Sequence, residues 1–241
     1  MISYFNISLC ALKYQYFSCF MPLCFFFSCK LISNSILIYN KSCRGGVSCM
    51  SNLLFSVFPS ENFVDLGLYQ YGWEQCDPAH TFGPSARSHY LFHYVISGAG
   101  TLAAKNSRKE TVEYHIKSGQ GFMIFPHQIC TYWADSTLPW EYTWVEFDGL
   151  KVKETLDISG FSVDSPVYRP RFKDLAQLMR EEMLYIARSS QESPFHLIGH
   201  LYLFLDYLTR SSTSPLLNRG SRMRDFYIKE AMSFIEQNFQ N

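Results

Sequence analysis

The sequence lacks an excess of either charge, since its 241 residues include 21 lysines and arginines and 21 aspartates and glutamates. Its first 49 residues contain four basic residues and no acidic one, which leaves 17 basic and 21 acidic residues in 50–241, a net charge of −4. A chain with this balance lacks the clustered positive charge that neutralises nucleic-acid phosphates. Residues 50–241 are therefore not expected to contain a dedicated basic domain for nucleic acid.

The sequence also lacks the motifs of common catalytic and metal sites. It has no G-x-S-x-G nucleophile elbow, and no C-x-x-C pair or Cys/His cluster has zinc spacing. After residue 49 its cysteines are Cys76 and Cys130, and neither has a neighbouring motif that would lower the pKa of its thiol. We expect no catalytic residue, no bound metal and no other cofactor. So few cysteines are typical of a reduced, cytoplasmic protein rather than of a disulfide framework.

The first 49 residues differ in composition from the rest of the chain. They contain six of the eight cysteines, and residues 14–29 form the most apolar run. This run ends without the small-residue cleavage site of a signal peptide, contains Pro22, and is shorter than the roughly 18–20 residues that a membrane span needs. We interpret residues 1–49 as translated upstream DNA before a true start at Met50, or as a disordered leader. The alternative is a membrane anchor.

Residues 50–150 consist of short apolar runs that end at Gly or Pro, which is typical of tightly turned antiparallel strands. The clearest run is 90–97, which ends at Gly98. The spacing predicts a hairpin within 101–116, and it predicts that strands at 129–134 and 141–147 form a further pair. Residues 76–88 are predicted as a loop because they contain Pro78, Gly83 and Pro84. About seven such strands predict a small β-barrel or jelly roll.

The pattern changes after Gly149, where apolar residues recur at helical spacing in 172–187 and 195–208. The apolar faces of these two helices are wide enough to cover the barrel and also to contact a second subunit. An entirely internal core explains the spacing equally well. A linker rich in Ser, Pro, Gly and Arg follows, and an amphipathic helix is predicted at 227–239.

A carbohydrate site needs aromatic faces and a few fixed polar groups. Tyr132, Tyr142, Trp144 and Arg87 could supply them, and Tyr142 and Trp144 share one face of their strand because they are two residues apart. The alternative is that the aromatic side chains only fill the barrel. Arg87 is harder to explain as core, since a buried guanidinium needs a partner.

A metal site is a less favoured possibility. His93, His127 and Cys130 lie in or near the predicted strands and could act as ligands. Ordinary core and loop roles explain these three residues more simply.

Three segments in order resemble the sugar-sensing barrel of AraC-type bacterial transcription regulators. They are H-Y-V-I-S-G-A-G-T (93–101), G-Q-G-F-M-I-F-P (119–126) and W-E-Y-T-W-V-E-F (140–147). A fourth segment, Y-I-K-E-A-M-S-F-I-E-Q-N-F (227–239), is similar to the first helix of the DNA-binding domain in that family. The resemblance covers roughly residues 65–240.

The resemblance implies a mainly β fold with helices and five parts of the chain. After the leader (1–49) comes a cupin-like effector-binding barrel (50–150). A helical region (151–212) follows and is expected to form a homodimer through 172–188 and 195–209. The last parts are a linker (213–225) and the first helix of a truncated helix-turn-helix domain (226–241). It implies a cytoplasmic regulator that is not an enzyme. Operator binding is expected only where the rest of the DNA-binding domain is present.

The resemblance also implies which residues form the ligand-binding site. Tyr132, Tyr142 and Trp144 occupy three positions that contact sugar in the arabinose-sensing member, with Tyr142 in place of a histidine, and Arg87 lies near the fourth. We include His93 among the expected ligand-binding residues. Two alternatives from other classes are a metal-dependent cupin enzyme and a membrane-anchored small-molecule sensor.

Overall fold

The computed structural model describes residues 27–31, 36–41, 53–58, 63–212 and 232. The strands are β1 (Phe27–Leu31), β2 (Ile36–Lys41), β3 (Leu53–Val57), β4 (Gly67–Gln75), β5 (Thr81–Ser85), β6 (Tyr90–Ser97), β7 (Ala99–Lys105), β8 (Thr111–Lys117), β9 (Gly121–Ile124), β10 (Cys130–Ala134), β11 (Glu141–Asp148) and β12 (Val167–Tyr168). The helices are α1 (Val152–Ser159), α2 (Lys173–Arg188) and α3 (Pro194–Ser211).

The strands form two antiparallel sheets. The larger has the order β1-β2-β3-β4-β11-β6-β9-β12, and the smaller has the order β5-β10-β7-β8. From β4 to β11 the chain changes sheet repeatedly, as in a jelly roll. The prediction of a mainly β fold with helices is confirmed. The hairpin expected within 101–116 is also confirmed, because β7 and β8 pair from Ala99↔Lys117 to Lys105↔Thr111.

Two predictions for residues 76–147 are wrong. The segment predicted as a loop contains β5, which lies at the edge of the smaller sheet. Pro84 is tolerated there because an edge strand has a neighbour on one side only, so a missing backbone N–H need not break the sheet. Strands β10 and β11 do not pair with each other. β10 pairs with β5 and β7, whereas β11 pairs with β4 and β6 in the other sheet. Consecutive strands in a jelly roll commonly belong to opposite sheets, and strand propensity does not reveal this.

Strand β11 is buried on both faces. Tyr142 and Trp144 belong to the core between the two sheets. Val145 and Phe147 belong to a second core, which the larger sheet shares with the three helices. The helices therefore cover the outer face of the larger sheet, as predicted for the two longer ones.

Helices α2 and α3 form the expected hairpin with small changes of their bounds. Ser193 caps the start of α3 by accepting a hydrogen bond from the backbone N–H of His196, and Pro194 occupies the first turn. Helix α1 lies within the helical region expected at 151–212, where individual helices were predicted only for the two later segments. It ends at Gly160, whose left-handed conformation (φ 79°) favours glycine.

Several expectations lie outside the described residues. These are the linker at 213–225, the helix at 226–241 apart from Met232, and the leader apart from β1 and β2. Within the described part of the chain, no helix combines the length and the apolar character needed to cross a membrane.

Two glycines give a matched test of this packing. A Cβ atom on Gly72 of β4 would lie 2.1 Å from the Leu54 carbonyl oxygen and 2.5 Å from the Trp144 ring. Gly72→Ala should therefore lower the free energy of unfolding by about 1–3 kcal/mol through overpacking. Gly199→Ala should instead raise it by roughly 1 kcal/mol, because nothing lies within 4 Å of the added methyl group in an exposed helix. Urea denaturation measures both, and equal effects would contradict the packing described for Gly72.

Candidate functional site

A row of paired residues crosses the inner face of the larger sheet. Trp144 in β11 is paired with Gly72 in β4 and with His93 in β6. His93 in turn is paired with Phe122 in β9. Directly paired residues point to the same face of a sheet. The row therefore places an indole, an imidazole and a phenyl ring side by side, and Gly72 leaves space for the indole.

The smaller sheet contributes an opposing row. Tyr132 in β10 is paired with Phe82 in β5, and their rings stack with centroids 5.1 Å apart. The Tyr132 ring lies 5.0 Å from the ring of His93 and 6.4 Å from that of Tyr142. Four of the five residues expected from sequence, His93, Tyr132, Tyr142 and Trp144, thus meet between the sheets. We call these four residues the aromatic cluster.

His93 is the polar centre of the aromatic cluster. It is 2% exposed, stacks on Phe122 at 4.5 Å, and meets the edge of Tyr142 at 5.0 Å. Its Nδ1 atom is buried and has no hydrogen-bond partner among the residues that the structure describes. Burial, and to a lesser extent the positive charge of Arg87, hold the pKa of His93 well below its usual value. The imidazole is therefore neutral at physiological pH, with one ring nitrogen ready for a further hydrogen bond.

Arg87 lies beside the aromatic cluster and is held by an acidic residue. Its Nη1 donates to Glu146 Oε2 at 3.0 Å, and the other oxygen of Glu146 lies 3.2 Å from His89 Nδ1. The guanidinium also sits over the Phe82 ring at 5.3 Å. Glu146 is the partner that a buried arginine requires. Any contact of Arg87 with a ligand would have to coexist with this ion pair.

Sequence reasoning missed Glu74, which is only 8% exposed. Its Oε2 accepts a hydrogen bond of 2.9 Å from the Tyr142 hydroxyl, its cross-strand neighbour. Gly72 and Glu74 alternate with outward residues of β4, so the period-2 pattern could have placed both on one face. It could not have shown that this face is the interior, because the register between β4 and β11 joins residues about 70 positions apart.

The less favoured metal ligands His93, His127 and Cys130 do not form a cluster. Within the described ranges, the group of His, Cys, Asp and Glu side chains close enough to share an ion includes none of them. His127 is exposed and occupies a turn with φ 62°. Burial raises the pKa of the Cys130 thiol to about 11, although the charge of Arg87 opposes the rise. This thiol is therefore protonated at neutral pH and a poor nucleophile.

The two facing sheets, the buried aromatic cluster and the helices on the outer face are features of a small-molecule-binding jelly roll. The family model of the AraC-like ligand binding domain matches residues 67–205, which is more than half of the sequence. The chain belongs to this family, and the resemblance noted from its three barrel segments is confirmed.

Two relatives are bacterial operon regulators. The Msm operon regulatory protein of Streptococcus mutans serotype c is 26% identical over 191 residues, which cover 77% of this chain and 65% of the relative. The raffinose operon transcriptional regulatory protein RafR of Pediococcus pentosaceus is 36% identical over 88 residues, which cover 36% of this chain and 30% of the relative. The chain thus spans less than two thirds of the length of these relatives.

Solved structures that resemble this chain do so only distantly. Oxalate decarboxylase of Bacillus subtilis is 12% identical with a TM-score of 0.35, covering 61% of this chain and 34% of that one. A cupin superfamily protein of Desulfitobacterium hafniense is 7% identical with a TM-score of 0.31, covering 44% of this chain and 81% of that one. Likeness at this level carries no information about the activity of this chain.

The lowered pKa of His93 predicts a pH dependence of stability. An unfolded histidine has a pKa near 6.5, so below that pH the unfolded chain binds a proton that the folded chain resists. The free energy of unfolding should be unaffected by His93 above about pH 6.5 and should fall as the pH is lowered toward the folded pKa.

The variant His93→Phe keeps a ring against Phe122 and removes the titrating group. Urea denaturation between pH 7.5 and pH 5 should show a flatter decline for this variant than for the wild type. His127→Asn is the control, because it removes an exposed histidine and suits a positive φ. An unchanged slope in His93→Phe would show that His93 is not the group responsible.

Proposed function

We propose that this chain is the effector-sensing part of a bacterial transcription regulator. Its effector is a sugar or a related hydroxyl-rich molecule that contacts the aromatic cluster. The chain binds and releases this molecule without transforming it, and it acts in the cytoplasm. Membership in the AraC-like family and the two operon regulators among its relatives support the regulatory part of the proposal.

The buried Nδ1 atom of His93 is the observation that carries the choice of ligand. A buried polar atom that lacks a partner costs roughly 1–3 kcal/mol, and a ligand hydroxyl would remove that cost. The rings of Tyr132, Tyr142 and Trp144 offer flat apolar faces for the C–H surfaces of a sugar. The hydrogen bond between Tyr142 and Glu74 adds a carboxylate acceptor beside the same rings.

Entry to the aromatic cluster requires side chains at the barrel edge to move. Trp144 is 8% exposed, and Phe55 of β3 stacks on it with ring centroids 6.4 Å apart. At the other edge, Phe82 stacks on Tyr132, and the Arg87 guanidinium lies over the Phe82 ring. We propose that one of these two edges opens when the effector binds. Arg87 is a candidate ligand contact at the edge where it lies over Phe82.

The first test is a binding screen of the full chain against mono- and disaccharides and the trisaccharide raffinose. Thermal unfolding and titration calorimetry measure the binding. A ligand at 100 times its Kd should stabilise the fold by about 2.7 kcal/mol. Tyr142→Phe keeps the ring but removes the hydroxyl that donates to Glu74. Sugar affinity should fall about tenfold in this variant, the usual effect of losing one hydrogen bond.

The matched control is Tyr185→Phe, which removes a hydroxyl on α2 far along the chain from the barrel strands and should leave affinity unchanged. Trp144→Phe provides a second probe of the cluster. Equal affinities of all three variants for a sugar that binds the wild type would place the ligand elsewhere. A panel without any binder would sink the sugar assignment and leave the family membership intact.

We also propose a division of labour in which residues 50–150 sense the effector, 151–212 form a homodimer, and 213–225 link them to the helix at 226–241. The support for the dimer is a face of the hairpin that is left partly exposed. Leu178 and Tyr185 lie two turns apart on α2, and they are 40% and 36% exposed. Leu203 on α3 is 43% exposed. Tyr185 stacks on His200 at 4.0 Å, so these residues form one surface across both helices.

Leu203→Glu should convert a dimer to a monomer, because it places a charge in an apolar contact without touching the buried side of α3. Sedimentation equilibrium over a range of concentrations measures the change, and circular dichroism verifies the fold. The control is Ile129→Glu, which adds the same charge at a barrel residue that is 52% exposed. A wild type that sediments as a monomer, or a variant that still dimerises, would contradict the proposed face.

A further inference from the structure

The segment E-Q-C-D-P-A-H (74–80) brings three potential metal ligands together at the end of β4. Glu74 and Cys76 are two residues apart in extended chain, so both side chains lie on the same side. The turn that follows reverses the chain, with the backbone N–H of His80 donating to the Asp77 carbonyl at 3.1 Å. The His80 carbonyl then accepts from the backbone N–H of Ala134 at 2.9 Å, which ties the turn to β10.

The ligand atoms of these residues lie close to the spacing that one shared ion would require. A carboxylate oxygen of Glu74, the sulfur of Cys76 and an imidazole nitrogen of His80 all lie within 4.8 Å of one another. The distance between His80 Nε2 and Glu74 Oε1 is 3.8 Å. Ligands of one tetrahedral zinc ion lie about 3.3–3.8 Å apart, from Zn–N and Zn–S bonds of about 2.1 and 2.3 Å. Because the atoms lie within 4.8 Å of one another, side-chain movements of up to about 1 Å would bring them to this spacing.

The surroundings of the three side chains favour a cation. Glu74 and Cys76 are buried, whereas the side chain of His80 is 30% exposed and leaves a path to solvent. The Tyr142 hydroxyl holds Oε2 of Glu74 and leaves Oε1 directed toward His80. An outer hydrogen bond of this kind orients a ligating carboxylate. Among the described residues, His80 is the basic side chain recorded within ion-pair distance of Glu74, since Arg87 pairs with Glu146.

We propose that Glu74, Cys76 and His80 form a binding site for Zn²⁺ or a similar borderline-soft divalent cation. Carboxylate, thiolate and imidazole are the donors that zinc takes in proteins, and three protein ligands leave a fourth position for water or another molecule. On binding, the Cys76 S–H bond gives way to an S–metal bond and the proton passes to solvent. The site goes beyond the proposed sugar sensor, and its test does not require a sugar. The two proposals share Glu74, and Tyr142 borders both.

Cobalt titration of the full chain tests the site, because Co²⁺ replaces Zn²⁺ and absorbs in a way that reports a thiolate ligand. The six cysteines in residues 1–49 form a background that every variant shares. Cys76→Ser should remove one equivalent of the sulfur-to-cobalt charge-transfer absorption. His80→Ala should weaken Co²⁺ and Zn²⁺ binding at this site by at least about 100-fold, because loss of an outer-shell partner alone costs up to that much.

Two matched controls separate this site from a general effect of removing such side chains. Cys130→Ser removes the other cysteine after residue 49, and His127→Asn removes an exposed histidine. Both should retain the wild-type spectrum and stoichiometry. The proposal is overturned if the wild type, Cys76→Ser and His80→Ala take up the same number of ions with the same spectrum.

A second readout covers the case in which Cys76→Ser fails to fold. His80 is partly exposed, so His80→Ala should keep the fold, which circular dichroism verifies. Excess Zn²⁺ should raise the Tm of the wild type by mass action and leave that of His80→Ala unchanged. An equal rise in both proteins would show that Zn²⁺ acts elsewhere and would also overturn the proposal.

Discussion

Strand β11 packs alternate residues into two different cores, and the candidate site depends on this constraint. Tyr142 and Trp144 face the space between the sheets, while Val145 and Phe147 face the helices. A slip of one residue in the register would exchange the two faces and bury each side chain in the wrong core. The positions of the aromatic cluster and of the helical hairpin are therefore linked through a single strand. A change on the side of β11 that faces the aromatic cluster can therefore reach the helices packed on its other side.

The space between the sheets differs from an ordinary hydrophobic core in its polar content. Arg87 pairs with Glu146, and the Tyr142 hydroxyl donates to Glu74. The buried Nε atom of Arg87 has no hydrogen-bond partner among the described residues. His93 keeps an unpaired nitrogen among aromatic rings. Apolar residues of similar size would fill this space without the cost of desolvating charges. Such a concentration of polar atoms is typical of a site that recognises a ligand. The sugar and metal proposals concern neighbouring parts of this interior, with Tyr142 between them.

Much of the local structure could be predicted because it follows from local patterns. Strand β6 occupies the predicted 90–97, and the hairpin of β7 and β8 lies where alternation and polar turn residues placed it. The helices α2 and α3 match the apolar spacing to within a few residues. Strand β5 was missed because Gly83 and Pro84 are turn residues by propensity. It forms an edge strand only because β10 offers it hydrogen-bond partners.

The family, the order of strands before helices, and four residues of the aromatic cluster could be predicted from the sequence. These features depend on residue type and on spacing over a few positions. The three-dimensional fold was needed to show that β10 and β11 lie in opposite sheets, that Glu146 holds Arg87, and that Glu74 faces the interior beside Cys76 and His80. The physical reason is that burial and partner choice arise from strand register between distant segments. A carboxylate on a strand has the same local pattern whether it faces water or the core.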